Sequence, residues 1–193
     1  MIQYILHILA YILPDFLIKD IFISYAVRIS LTVFFLIIFW KRYKLKFKFS
    51  IYSILAGILI FLSWIFITVS FKMTEFNPKG YFLILKIIGF IIITPLVEEL
   101  FTRDFLIRMS IALEKKQDFE KIKIGSFTII SSVVSVLFFG FSHYMWLAGI
   151  ISAILLNLLL YKTKRVSDCI LAHSLANLML SIYILQTNTF FLW

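Results

Sequence analysis

Two adjacent carboxylates, Glu98 and Glu99, stand at the end of an apolar run, and Arg103 follows them. His143, His173 and Asn177 stand in or beside other apolar runs. An ionisable group inside a bilayer is costly and reads by default as part of a functional site with a partner nearby. Glu99 and Arg103 are i,i+4, so on a helix they share a face and pair. Glu98 points about 100° away from Glu99, which leaves one carboxylate neutralised and the other facing a cavity. His173 and Asn177 are also i,i+4 and share a face. Pro95 removes the helical donor of the Ile91 carbonyl, which predicts a kink or a wet pocket beside the pair.

Brought together, a glutamate and two histidines suffice for hydrolysis. The glutamate, helped by a histidine, takes a proton from water. A histidine and an asparagine amide can donate to the oxyanion. The same groups, Glu98, His143 and His173, offer a second possibility, since His₂Glu is a hydrolytic zinc set. No His-Glu-x-x-His pattern accompanies them. Cys169 lies i,i+4 from His173, so a thiol nucleophile is geometrically available, but nothing in the sequence activates it, and it reads as packing.

The elements that must position these residues are membrane helices. The protein has 193 residues, 62% of them hydrophobic, with a mean hydropathy of +1.02. Charged residues make up 15%, against roughly 25% in a soluble domain. That excludes an ordinary soluble protein. Apolar runs at 21–40, 51–71, 80–97 and 169–185 read as spans. The uncharged stretch 125–161 is too long for one crossing, at roughly 55 Å against a core of about 30 Å, and must fold into a hairpin with its turn at 140–146. The segment 2–13 is short and ends at Pro14-Asp15, as an interfacial helix or a seventh span. The expected fold class is therefore all-α, a polytopic transmembrane helix bundle of six spans plus this N-terminal seventh. The alternating patterning of a β-barrel is absent.

The net charge is +9. The basic residues cluster between apolar runs, at 41–48, 103–123 and 162–165, which places these three loops together in the cytoplasm. Clusters in those positions meet anionic lipid and do not point to nucleic acid. The N-terminus carries no basic n-region or cleavage site of a signal peptide. The whole sequence reads as one integral membrane domain. Residues 80–185 are its motif-bearing core, and 1–79 contribute helices without a recognised motif. A compact protein of this style fits a bacterial plasma membrane.

Glu98-Glu99-x-x-x-Arg103, Phe139-x-x-x-His143 and His173-x-x-x-Asn177 resemble the three signature motifs of the CPBP intramembrane proteases, also called the Abi or type II CaaX-processing endopeptidase family. The motifs occur in the family's order and, with their helices, cover about the C-terminal half. The resemblance implies an intramembrane endopeptidase acting on a membrane-associated protein or peptide. By that likeness Glu98 with His143 activates water, His173 and Asn177 stabilise the oxyanion, and Glu99 with Arg103 holds the first helix in place. No cofactor is then required. A divalent metal such as zinc is the alternative. Relatives with roles near bacteriocin production and self-immunity make a CaaX substrate only one of several.

Other readings compete. A non-catalytic immunity or scaffolding protein of the same fold needs none of this chemistry, and a small proton-coupled transporter could use Glu98 and the histidines as a relay. A transporter should show two related halves, and no such symmetry is present. Singly, Glu98-Glu99 is an interfacial pair and Arg103 a cytoplasmic anchor. His143 is a loop histidine, and His173 and Asn177 are interhelical hydrogen-bonding groups. Phe139 and Asn157 read as packing and interhelical glue, and Asp104 with Arg108 as a surface pair. Arg28, in mid-span, either snorkels or pairs with an acid. What decides among these is whether Glu98, His143 and His173 meet, because the ruler of the helices puts His143 nearer the opposite side of the membrane from Glu98.

Overall fold

The computed structural model describes residues 1–43, 45, 48–68 and 78–192. Lys44 and Lys46 of the first basic loop, the polar connection at Lys72, Glu75 and Asn77, and Trp193 lie outside them. The described residues form seven helices and no strand. These are α1 (Ile2–Leu17), α2 (Ile21–Phe39), α3 (Ile51–Thr68), α4 (Gly80–Lys115), α5 (Ile129–Phe141), α6 (Trp146–Thr163) and α7 (Val166–Thr187). Four of them, Ile21–Arg42 (α2 with its closing turn), α4, α6 and α7, are long and apolar enough to cross a membrane. Large apolar side chains such as Phe16, Ile37, Phe66 and Ile129 face outward, as they do on a surface that meets lipid rather than water. The helical bundle is as the apolar runs predict.

Helix ends follow local chemistry. The Asp20 carboxylate accepts from the backbone N–H groups of Phe22 and Ile23 and starts α2. Thr128 and Ser131 form a reciprocal cap on α5, which satisfies donors that a helix start leaves open. α1 does not stop at Pro14-Asp15 as expected but runs through the proline to Leu17. Proline's fixed φ is compatible with a helix, and one lost hydrogen bond near the end is tolerated.

α4 is the axis of the bundle. It touches α1, α2, α5 and α7 along its length, while α3 packs on α6 and α7. It is not uniformly α-helical. Residues Gly89–Ile93 and Leu100–Leu106 are wound as π-helix, on either side of Thr94–Glu99. π segments of this kind are rare and concentrate at functional sites.

The sequence-based loop at 103–123 needs correction. The helix continues to Lys115, and Arg103, Asp104 and Arg108 are buried. Asp104 and Arg108 are an interior pair at 2.7 Å, not a surface one. Tyr4 of α1 donates to Asp104 at 2.5 Å, and Arg108 donates to the carbonyls of Phe119 and Ile122. Each charge is neutralised inside the bundle, so solvent is not needed, and spacing alone cannot show such long-range partners. The three basic loops do lie at one end: Lys164 donates to Gly125 O at 2.6 Å and Ser167 to Lys48 O at 3.1 Å.

Candidate active site

The α5–α6 hairpin turns at residues 142–145, within the turn read from the sequence. α5, with 13 residues, is about 20 Å long, short of a bilayer core of roughly 30 Å, so it is too short to carry this turn across from one face to the other. The two helices can converge there because both carry glycine at the crossing. A Cβ on Gly149 would meet Gly140 O at 3.0 Å and His143 Cβ at 3.3 Å. This close approach carries His143 inward. His143 Nδ1 donates to Phe139 O at 2.6 Å, because a carbonyl can only accept. In the neutral ring Nε2 is then an acceptor, and it lies 3.7 Å from Glu98 Oε2. Glu98 and His143 come from separate helices and meet, which resolves the apparent conflict of depth.

Glu99 and Arg103 pair as their spacing predicts, at 3.1 Å, and both are fully buried. The guanidinium also lies over the Phe139 ring at 4.3 Å. The other Glu99 oxygen accepts from His173 Nδ1 at 2.9 Å. The division of the two glutamates is therefore sharper than expected: Glu98 faces His143, and Glu99 joins Arg103 to His173. The Phe139 ring touches Arg103, His143 and His173, so its packing role is that of a plate between three functional groups.

Asn177 explains the π segment. Thr94 N–H bonds to Gly89 O, five residues back. In that register the donor for Phe90 O would be residue 95, which is Pro95 and has none. Asn177 Nδ2 donates to Phe90 O at 2.7 Å in its place. The orphaned carbonyl is thus Phe90, not Ile91 as an uninterrupted α-helix would give. One Asn177 N–H is committed to the backbone and the second remains.

Glu98, His143, His173 and Asn177 line one cavity of about 640 Å³. Its walls include residues that sequence reasoning passed over. Tyr11 of α1 bonds Thr94 Oγ1 at 2.8 Å and reaches Glu98 Oε1 at 3.5 Å. Trp64 lies edge-on to the His143 ring. Arg28 pairs with Asp15 at 2.5 Å, the acid option of the two anticipated. A tyrosine in an apolar run carries no periodic signal. Lys86, a lone cation in such a run, did carry one. Cys169 is buried, with Sγ near Leu156 O at 3.4 Å, and packs as read. Asn157 holds α6 to α5 through Ser135 and Ser132.

A carboxylate beside an imidazole acceptor can activate water, and the neighbouring histidine and amide can meet developing negative charge. Among the described residues, no three His, Cys, Asp or Glu side chains are grouped to hold a metal ion. Both Nδ1 atoms are committed, to Phe139 O and to Glu99, which fixes each ring and leaves its Nε2 for the chemistry of the cavity.

No curated protein matches the sequence, and no solved structure does. The sequence profile of the family described as type II CAAX prenyl endopeptidase Rce1-like matches residues 80–179, from the start of α4 to just past Asn177. The match spans over half of the protein and holds every residue of the Glu98–His143 and Glu99–His173–Asn177 constellation, and the protein belongs to the type II CAAX prenyl endopeptidase Rce1-like family.

Proposed function

We propose that the protein is an intramembrane endopeptidase that hydrolyses a peptide bond of a membrane-associated protein or peptide by glutamate-activated water. The observation that carries this reading is the 3.7 Å approach of His143 Nε2 to Glu98 Oε2 inside the cavity. That gap is too long for a direct hydrogen bond and suits a water that donates one proton to each acceptor. Its lone pair is then left for the scissile carbonyl. Glu98 takes the first proton as attack proceeds and returns it to the leaving amine. The remaining Asn177 N–H, and Nε2–H of a doubly protonated His173, face the oxyanion. Glu99 and Arg103 hold His173 in place. The reaction draws on no metal.

The basic loops at one end of the bundle face the cytoplasm. The family's described activity makes a prenylated CAAX peptide the first substrate to assay, alongside unmodified apolar peptides. The test is cleavage of quenched fluorogenic peptides by the full-length protein in lipid nanodiscs, comparing wild type with Glu98→Ala and His143→Ala. Loss of cleavage in both variants is expected. Undiminished cleavage in both would sink the proposal, and retention of the protein's cellular phenotype by both would mark a scaffold.

A further inference from the structure

The cavity has a second polar end, away from His143. Arg28 of α2 and Lys86 of α4 both line it, together with Asp15 of α1, Tyr11 and Tyr25. Both cations lie over the same Tyr25 ring, Arg28 at 4.7 Å and Lys86 Nζ at 4.5 Å. Arg28 also lies over the Tyr11 ring at 4.9 Å, and Tyr11 reaches Glu98 with its hydroxyl. One tyrosine residue therefore separates the cationic end from the Glu98–His143 end. The formal charges of Asp15, Arg28, Lys86 and Glu98 balance over the whole cavity, but they are segregated. Asp15 is paired with Arg28 and half exposed, while among the described residues Lys86 makes no ion pair. Arg28 Nε is buried without a hydrogen-bond partner among those residues.

Two cations beside one carboxylate, in an apolar cavity at membrane depth, are costly unless an anion completes them. Residues 1–79 lie outside the stretch matched by the family, so Arg28 and Asp15 belong to the part of the protein without a recognised motif. We propose that Arg28 and Lys86 form a carboxylate-binding subsite that selects a peptide carrying negative charge within a few residues of the bond presented to Glu98. This rests on the endopeptidase reading for its use of the scissile bond. The subsite itself is a property of binding and does not depend on turnover. The carboxylate has two sources, the C-terminus of a peptide or an Asp or Glu residue within it.

The experiment measures binding of labelled apolar peptides to full-length Glu98→Gln protein in nanodiscs, by fluorescence anisotropy, so that catalysis is not required. One peptide ends in a free carboxylate, the second in a carboxamide, and the third in a carboxamide with an internal glutamate near the terminus. A charge-assisted contact predicts at least about tenfold tighter binding of the first over the second. Adding Arg28→Gln or Lys86→Gln is expected to bring that ratio close to unity, and Arg28→Lys to retain most of it. Recovery of affinity by the third peptide assigns the carboxylate to an acidic residue, and its failure to recover assigns it to the C-terminus. Equal binding of all three, binding of none, or a ratio that survives in both glutamine variants overturns the subsite. Cleavage by the wild-type protein is read separately, so loss of the endopeptidase reading and loss of the subsite are distinguishable.

Discussion

At the scale of single residues, the two adjacent glutamates do different work because one step of backbone aims them at different helices. Glu98→Gln keeps shape and removes the base. It should lower kcat by about 10²–10⁴-fold with little change in protein stability, measured by peptide cleavage and thermal unfolding in detergent. Glu99→Gln is the contrasting case: it leaves Arg103 buried without its counter-charge, a loss of about 3–5 kcal/mol, seen as a large fall in unfolding temperature. Asn177→Ala should show both effects. It removes a proposed oxyanion donor and strands Phe90 O, worth about 1–3 kcal/mol of stability. Asn177→Asp should be worse, since a carboxylate cannot donate to that carbonyl and repels it.

At the scale of elements, the site depends on two devices: the close α5–α6 crossing and the altered winding of α4. Gly149→Leu places bulk against Gly140 and His143 Cβ. It should part the hairpin and lose cleavage, while Ile150→Val, at the same crossing, should cost about 1 kcal/mol and keep it. The i,i+4 pairs, the hairpin and the spans were all legible in the sequence, because periodicity and charge placement are local. The π register was not: a proline shows which donor is missing, but which carbonyl loses it depends on winding, and that depends on Asn177, which lies 87 residues from Phe90. Tyr11, and the burial of Asp104 and Arg108, were hidden for the same reason, since their partners are supplied by other helices.

At the scale of the whole molecule, the three basic loops share one end, and their orientation in the membrane is open to direct measurement. The sole cysteine, Cys169, is buried, so single cysteines placed at Lys123 and Lys162 report alone. With the cytoplasmic orientation proposed, neither should react with an impermeant maleimide in intact cells, and both should react after lysis. Labelling of intact cells would reverse the topology. Treatment of the purified protein with a chelator should leave cleavage unchanged within error, and a loss restored by added zinc would replace the metal-free reaction.

The winding of α4 also bears on how this helix tolerates insertion and deletion. Each π segment takes up an additional residue within one turn, so the helix beyond it keeps nearly the phase of an uninterrupted α-helix one residue shorter. Deleting one residue between Gly89 and Ile93 would let that segment relax to ordinary α-helix with Glu98 near its present phase, whereas inserting one more residue there would turn Glu98 relative to the first half of α4 by roughly 100°. The insertion would take the carboxylate away from His143 without any change in its chemical identity. A single-residue insertion between Gly89 and Ile93 should therefore abolish cleavage and a deletion there should be the milder change, whereas a deletion among exposed residues 116–118, beyond the helix, should be silent.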